Sequence, residues 1–325
     1  MDLSTQYLGL KLKNPIIIGS SGLSSNVEKI KALEKNNAGA IVLKSIFEEQ
    51  ILQEAYREKI EYGIPEAYDY INQYSQAMSL DRFLQLIEDA RKNVKIPIIG
   101  SINATAKGKW VEFAKKMESA GAHAIELNIG ILPSDINKTC SEVEKTHLEI
   151  LEEVRKTIKI PIAVKISNYM SGLANLVKQI SWSKTADAIV MFNRFYNPDI
   201  DIDKMDVTVA KVLSDAEDLM PSLRWIALLA DKFKQTQFVG STAIYTGEDV
   251  IKQILVGADA VQVVSSIYKH GPEFINTILN KMKDWMKAKN FNNLNDFRGK
   301  LNFSNIKNPN VYERIQFMRY YGTLE

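Results

Sequence analysis

The stretch "ADAIVMFN" at residues 186–193 is a short apolar run that opens with small residues and ends on an asparagine. Runs of the same type are "AGAIVLKS" (38–45), "AHAIELN" (122–128) and "ADAVQVVSS" (258–266). A second type opens with proline, as in "NPIIIGSS" (14–21), "IPIIGSIN" (96–103) and "IPIAVKIS" (160–167). Both types are rich in β-branched residues and apolar on both faces, which is typical of parallel strands covered by helices.

Amphipathic segments such as "GKWVEFAKKMESAG" (108–121) lie between these runs, with apolar residues at helical spacing. Together with "QFVGST" (237–242) the runs give eight strands in strict alternation with helices, which predicts a (β/α)8 TIM barrel. An open doubly wound sheet is the alternative, but eight parallel units favour closure. We predict one domain over residues 1–325, with an N-terminal extension before the first strand.

Two connections are too long for the repeat, namely residues 47–82 after the second strand and 196–224 after the sixth. Loops that follow barrel strands lie on the active-site face, and long loops are commonly functional. Both are therefore predicted to cover a pocket. The Asn-rich tail from about residue 290 is predicted to wrap the surface or meet another subunit.

Composition excludes several classes of function. A balance of 41 Lys+Arg against 39 Asp+Glu gives no electrostatic case for a nucleic-acid partner. The apolar runs are too short to span a membrane, and no secretory signal opens the chain. One cysteine excludes an internal disulfide framework and a self-contained iron–sulfur cluster, and three scattered histidines give no metal site. We predict a cytoplasmic globular protein without a metal.

Polar residues stand where each predicted strand ends. They are Ser20 and Ser21, Lys44 and Ser45, Asn103, Asn128, Lys165 and Ser167, Asn193, Gly240 and Ser241, and Ser265 and Ser266. Any one of them could simply bond a neighbouring loop. A core does not need the whole ring, because each unpaired buried polar group costs about 1–3 kcal/mol. The ring therefore predicts a ligand at the carboxyl ends of the strands.

The residue types in this ring indicate the ligand. Gly240, Ser241, Ser265 and Ser266 offer amides and hydroxyls at the last two strands, where barrels commonly bind phosphate. The lysines and asparagines face a planar group rich in hydrogen-bonding atoms. Flavin mononucleotide (FMN) satisfies both ends, and a lysine beside its pyrimidine edge stabilises the negative charge of the reduced form.

Several motifs resemble the dihydroorotate dehydrogenase family, class 1 side. They are "LGLKLKNPIIIGSSG" (8–22), "AGAIVLKSI" (38–46), "GAHAIELN" (121–128), "IPIAVKIS" (160–167) and "GADAVQVVSS" (257–266). The segments "FEEQI" (47–51), "MFNRFYNPDID" (191–201) and "LRWIA" (223–227) are similar to the branch called dihydroorotate dehydrogenase-like. The resemblance covers about residues 5 to 285 and implies an FMN barrel, a homodimer and a role in pyrimidine biosynthesis.

The resemblance also implies roles for the ring. Lys44, Ser45 and Lys165 would contact the flavin, with Lys44 also serving catalysis, and Ser20 and Ser21 would touch its ring edge. Asn103, Asn128 and Asn193 would bond flavin or substrate, and Gly240, Ser241, Ser265 and Ser266 would hold the phosphate. Glu126, on the same side of the strand as Asn128, is expected to support it from within the barrel.

The chain departs from the family where the proton-abstracting residue should stand. The family places Ser-Cys-Pro-Asn just after this asparagine, and its cysteine is the general base, whereas this chain has Ile131 there. The candidates for a replacement are Ser134, Asp135 and Cys140. The family's Asn-Ser-Met-Gly-Leu-Pro-Asn loop, which helps to bind orotate, is also missing from residues 47–82. Arg194 could clamp an anion or pair with a loop acid.

Three functions compete. The first is an FMN-dependent oxidoreductase that oxidises a dihydropyrimidine such as dihydroorotate, or another CH–CH substrate, and passes electrons to a separate acceptor. The second is a Schiff-base aldolase with Lys44 or Lys165 as nucleophile, which would leave the asparagines without a role. The third is a flavoprotein that has lost its base and binds FMN without catalysis.

Overall fold

A computed structural model describes residues 1–47, 68–103 and 107–313. Its strands are β1 (Thr5–Tyr7), β2 (Leu10–Leu12), β3 (Ile16–Ile18), β4 (Ala40–Val42), β5 (Ile46–Phe47), β6 (Ile98–Asn103), β7 (Ala124–Asn128), β8 (Ile162–Ile166), β9 (Ala188–Met191), β10 (Pro198–Asp201), β11 (Asp206–Val209), β12 (Gln237–Ser241) and β13 (Ala260–Val263). Its α-helices are α1 (Val27–Lys35), α2 (Tyr68–Asn93), α3 (Lys107–Ser119), α4 (Cys140–Thr157), α5 (Leu173–Ser183), α6 (Leu219–Leu229), α7 (Gly247–Val256), α8 (Ser265–His270), α9 (Phe274–Ala288) and α10 (Asn310–Glu313).

Eight parallel strands form a closed barrel. The strands follow the order β4, β3, β13, β12, β9, β8, β7 and β6, and β6 pairs in turn with β4. The short strand β5 continues β4 along the edge of β6. Because every strand needs a crossover to its parallel neighbour, the intervening helices cover the outside. The predicted (β/α)8 barrel is confirmed.

The strand side chains divide between two apolar clusters. Residues such as Ile17, Val42 and Val190 are buried in the cluster that fills the barrel interior. Their neighbours along the chain, such as Ile16 and Ile18, pack between the barrel and its helices. This alternation explains why the strand sequences are apolar on both faces.

The N-terminal extension closes the bottom of the barrel. Strands β1 and β2 form an antiparallel hairpin whose Tyr7 and Leu12 are completely buried in the interior cluster. Gln237, the first residue of β12, accepts the Leu8 N–H at 2.6 Å and donates to the Gln6 carbonyl at 2.8 Å. A ligand is therefore expected to enter at the opposite end, where the strands end.

The connection predicted over residues 47–82 is partly wrong. Helix α2 begins at Tyr68, so the segment 68–82 is helical, and residues 48–67 lie outside the described part of the chain. The sequence from Glu66 to Asn93 contains neither glycine nor proline, the two residues that most strongly oppose a helix. Its apolar residues recur only weakly at helical spacing, so their pattern did not reveal the helix.

The connection after the sixth barrel strand contains a hairpin of its own. Strand β10 pairs with β11 so that Ile200 lies opposite Val207 and Pro198 opposite Val209. These side chains share one face and are exposed, and Asp199 and Thr208 lie on the other face. The chain then passes a short 3-10 turn into α6.

The tail after α9 wraps the surface of the barrel, as predicted. The Gly299 N–H donates to the Ile254 carbonyl at 2.9 Å, and the Phe303 N–H donates to the Ala227 carbonyl at 2.8 Å. Phe297 is fully buried and stacks with Phe291. None of the helices in the described ranges is both long and apolar enough to cross a membrane.

Candidate active site

Three polar side chains meet inside the barrel below its open end. Glu126 of β7 is completely buried and accepts a hydrogen bond from Gln262 Nε2 of β13. The other end of the same amide, Gln262 Oε1, accepts from Lys165 Nζ of β8 at 2.8 Å. Glu126 therefore bonds Gln262, whereas the sequence suggested that it supports Asn128. Gln262 was missed, although an amide within the apolar run "AVQVV" was a signal.

Burial disfavours the charged forms of both Glu126 and Lys165. It raises the pKa of the Glu126 carboxyl, while the nearby Lys165 ammonium and the Gln262 hydrogen bond act in the opposite direction. Burial also lowers the pKa of the Lys165 amine, against the attraction of Glu126. Glu126 Oε1 has no hydrogen-bond partner among the described residues. Such a group is costly in a core, so it indicates a functional site.

Asn128 and Asn193 stand above this group. Asn128 is buried, and its Oδ1 atom has no partner within the described part of the chain, so an acceptor is open at the end of β7. Gly130 follows closely, and a Cβ there would lie 3.0 Å from Asn193 Nδ2. The glycine therefore allows the segment after β7 to approach the end of β9. Asn103 is half-buried at the end of β6.

Asn193 lines a cleft at the open end of the barrel. Its walls also include Tyr169, Phe195, Ser241 and Thr242, and the cavity has a volume of about 90 Å³. Tyr169 and Phe195 are in ring contact, with centroids 5.8 Å apart. The structure thus brings together residues from the ends of β8, β9 and β12.

A chain of serine hydroxyls links the ends of three strands. Ser20 Oγ lies 2.9 Å from Ser45 Oγ, which lies 2.7 Å from Ser101 Oγ. The Ser45 N–H also donates to Ser20 Oγ at 2.8 Å. Ser101 was not singled out from the sequence, because it lies two residues before the strand end. Lys44, beside Ser45, is exposed at the end of β4.

Ser21 is used in a local turn. Its hydroxyl donates to the Gly19 carbonyl at 3.1 Å and accepts the Leu23 N–H at 3.4 Å, at the start of a 3-10 turn. Those bonds give the side chain a structural role. Its location at the end of β3 still places it on the open end of the barrel.

The predicted phosphate residues lie at the ends of β12 and β13. Gly240 has a packing reason as well, since a Cβ there would lie 2.6 Å from Gln253. Ser266 is buried and its hydroxyl donates to the Ile244 carbonyl at 3.1 Å. Ser265 and Ser266 open α8, and the first N–H groups of a helix lack partners within it. Ser241 is buried beside the cleft.

The loop after β12 and the connection after β9 add two residues at this end. Thr242 has a φ of 78° although it is not glycine, and its hydroxyl donates to the Phe192 carbonyl at 3.0 Å. Such strained positions cluster at functional sites. Ser214 of the long connection donates from its hydroxyl to Ser265 Oγ at 2.9 Å. The connection after the sixth barrel strand therefore reaches the predicted phosphate end.

The segment after β7 carries the predicted base candidates on the surface. Ile131 is half-buried against the core, whereas Ser134 and Cys140 are exposed. Cys140 is the first residue of α4, which is capped by Thr139. Among the described residues, no hydrogen bond joins either exposed side chain to Lys165 or Asn128.

Arg194 holds the long connection in place. Its Nη2 donates to the Val212 carbonyl at 2.6 Å and to the Lys211 carbonyl at 3.2 Å, and its Nε lies 3.9 Å from Asp218 Oδ2. Of the two alternatives, anion clamp or partner of a loop acid, the structure shows the second. Within the described ranges no three His, Cys, Asp or Glu residues are grouped as a metal site.

These groups suit a ligand that is flat and rich in hydrogen-bonding atoms at one end and anionic at the other. Two lysine side chains and the open acceptor of Asn128 lie at the ends of β4, β7 and β8. Helix N–H groups and serines lie at the ends of β12 and β13. Both sets stand at the carboxyl ends of the strands, where barrel enzymes bind their ligands.

Comparison with known proteins gives a family. The family model described as dihydroorotate dehydrogenase matches residues 2–286. The chain is 27% identical over 317 residues to the "Dihydroorotate dehydrogenase B (NAD(+)), catalytic subunit" of Thermoplasma acidophilum, covering 92% of this chain and 98% of the relative. A protein of the same name from Methanocaldococcus jannaschii is 24% identical over 299 residues, which cover 89% of this chain and 94% of the relative.

Proposed function

Because the chain belongs to the dihydroorotate dehydrogenase family, we propose that it is an FMN-dependent oxidoreductase acting on the CH–CH bond of a dihydropyrimidine such as dihydroorotate, in pyrimidine biosynthesis. The observation that carries the proposal is the group at the barrel mouth, where Lys165 and the open acceptor of Asn128 stand side by side on neighbouring strands. The register pairs these two residues directly.

The described residues fit FMN. Lys44, Ser45 and Lys165 would bind the pyrimidine edge of the ring, Asn128 would offer its free Oδ1 to a ring N–H, and Ser20 and Ser21 would lie at the ring edge. Asn103 and Asn193 would bond flavin or substrate. Gly240, Ser241, Ser265 and Ser266 would hold the phosphate. When bound, the flavin supplies an acceptor for the hydride that leaves the substrate.

The protein's own part in the reaction is to hold the substrate and remove its second hydrogen as a proton. We propose that the base comes from the segment after β7, with Ser134, Asp135 and Cys140 as candidates, because Ile131 cannot accept a proton. Lys44, exposed at the mouth, would contact both flavin and substrate. A general base contributes about 10²–10⁴-fold to rate, so its replacement is decisive for turnover.

The electrons are proposed to leave to a separate acceptor. The relatives from Thermoplasma and Methanocaldococcus are named for NAD(+), and both are named as catalytic subunits. We propose an acceptor of this kind for the present chain, a cytoplasmic location, and one domain over residues 1–325.

A homodimer is proposed through the β10–β11 hairpin. Its face with Ile200, Val207 and Val209 is exposed, and the side chains are 60%, 67% and 55% accessible. Isolated two-stranded hairpins are only marginally stable, and exposed apolar patches commonly mark protein interfaces. A second copy of the chain would cover this face.

The experiment is an anaerobic titration of the purified protein. We expect a yellow protein whose flavin absorbance bleaches on addition of dihydroorotate and returns on addition of NAD+. A panel of other dihydropyrimidines and enoates, tested in the same way, identifies the substrate if dihydroorotate fails. A colourless protein that cannot be reconstituted with FMN would overturn the proposal.

Two alternatives give different results in the same preparation. A flavoprotein without catalysis would be yellow but would not bleach with any substrate of the panel. An aldolase would form a borohydride-trapped adduct on Lys44 or Lys165, which mass spectrometry would locate. The open acceptor of Asn128 favours the oxidoreductase over the aldolase, because a Schiff base gives that atom no partner.

A further inference from the structure

Among the three polar side chains that meet inside the barrel, Glu126 lies furthest from the ligand site, because it reaches Lys165 only through the buried Gln262. It is completely buried, whereas Lys165 is half-buried and lies one strand away at the mouth. Gln262 stands between them, donating to Glu126 from Nε2 and accepting from Lys165 Nζ at 2.8 Å. The carboxylate and the ammonium are thus connected by one amide whose two ends are both used.

The orientation of the amide depends on the carboxylate. Gln262 offers its oxygen to Lys165 while its nitrogen donates to Glu126, so each end of the amide has a complementary partner. With an apolar group at position 126, the NH2 group would lose its buried acceptor, and the amide would no longer be held from that end. The hydrogen bonds therefore run in one direction, from Lys165 through Gln262 to the buried Glu126.

The charge of Glu126 acts in the same direction. An opposite charge nearby favours the charged form of a lysine, whereas burial favours the neutral amine. The other titratable group beside Glu126 in the described elements is Tyr7 of β1; burial first, and then the carboxylates of Glu126 and Asp259, raise the pKa of its phenol, so it stays neutral and adds no charge. Among the described residues, Lys165 is the cation that interacts with the buried carboxylate of Glu126.

We propose that Glu126 is a positioning residue that acts through Gln262 to fix the Lys165 ammonium group at the wall of the ligand site and to keep it charged. The inference rests on the proposed function only in naming that ligand as a flavin. Glu126 touches neither cofactor nor substrate, and its effect reaches them through the lysine.

The test exchanges the two groups. In the Glu126→Gln variant the carboxylate is lost, and in the double variant Glu126→Gln with Gln262→Glu the carboxylate and the amide trade places. The double variant keeps the volume, the number of hydrogen bonds and the net charge of the network. A purely structural role for Glu126 would leave the pKa of Lys165 unchanged in both variants. If the carboxylate instead stabilises the ammonium form, the first variant removes that effect and the second restores it.

The primary measurement is an NMR titration of lysine-labelled full-length protein freed of flavin, with the Lys165 signal assigned from Lys165→Arg. We expect the pKa of Lys165 to fall by about 1–3 units in Glu126→Gln and to recover to at least its native value in the double variant, where the carboxylate at position 262 contacts the lysine directly. Asp259→Asn is the matched control, because Asp259 is a partly buried carboxylate paired with Arg298. It should leave Lys165 unchanged.

An unchanged Lys165 titration in Glu126→Gln, or no recovery in the double variant, would overturn the proposal. If Glu126→Gln does not fold, the reciprocal experiment decides. Because the coupling is reciprocal, Lys165→Met must raise the pKa of Glu126. That pKa is read from labelled carboxyl signals, and no rise would contradict the proposed coupling. These titrations need no flavin, so a protein that never binds FMN would disprove the proposed function while still deciding this inference.

Discussion

The inner wall of the barrel mouth and its outer rim differ in burial and in bonding. The wall consists of Glu126, Asn128, Lys165 and Gln262, which are buried or half-buried and include a connected network. The rim consists of residues 129–140 and 196–218, where Ser134 and Cys140 are exposed and the β10–β11 hairpin presents an apolar face to solvent.

This difference separates cofactor binding, which belongs to the wall, from the choice of substrate and partner, which belongs to the rim. The wall carries groups that suit a cofactor and that match the family motifs, whereas the rim carries the departure at Ile131 and the long connection after the sixth barrel strand. A scaffold can keep its ligand-binding wall while its loops change substrate or partner, because loops tolerate change far better than packed strands. The cofactor is therefore the better supported half of the proposal, and the substrate depends on the rim.

The largest effect is expected from removing the cation of the wall. Lys165→Met should slow flavin reduction by substrate about 10²–10³-fold, because one preorganised charge at a site of developing negative charge is worth that much. Anaerobic stopped-flow absorbance measures the rate. Lys252→Met, which removes an exposed lysine on α7, is the control. Equal rates for both variants would show that the wall lysine does not serve the flavin.

The rim should affect turnover without affecting the cofactor. Alanine at the true base should lower the rate of substrate oxidation about 10²–10⁴-fold while leaving FMN affinity and the flavin spectrum unchanged. Ser134→Ala, Asp135→Ala and Cys140→Ala are compared in steady-state assays, with Ser141→Ala as the control. If all three variants keep the full rate, none of these residues is the base and the proposed source is wrong.

The sequence predicted the strands far better than the contacts between them. Small residues and prolines mark where each strand opens, so the ring that includes Lys165 and Asn193 could be placed at one end of the barrel. The bond between Glu126 and Gln262 joins residues far apart in the chain and depends on barrel closure, which periodicity does not encode. Local patterns also gave no sign of Ser101, because its partner Ser45 lies on another strand.

The hairpin is the part of the rim that should control association. Ile200→Asp places a charge opposite Val207 on the apolar face and should raise the dimer dissociation constant about 30-fold, the loss typical of one interface hot spot. Sedimentation velocity measures it. Thr208→Asp puts the same charge on the opposite face and should leave the dimer intact. A wild-type protein that is monomeric at all concentrations would contradict the proposed interface.

The smallest effect concerns His147, which is buried in α4 between the wall and the rim. Its Nδ1 lies 2.9 Å from the Val143 carbonyl, and burial lowers the pKa of the imidazole below its usual 6.5. A lowered folded-state pKa gives stability that is fully present above the unfolded pKa and is lost as pH falls from the unfolded pKa through the folded one. The native protein should therefore lose on the order of 1 kcal/mol between about pH 7.5 and about pH 5.5 through this residue.

Thermal unfolding at both pH values tests this. The His147→Leu variant should be less stable than the native protein near neutrality, because the hydrogen bond to Val143 is lost, yet should lose less stability on acidification. His270→Gln, which changes an exposed histidine, should keep the native pH dependence. If His147→Leu shows the native acid sensitivity, the buried imidazole is not its source.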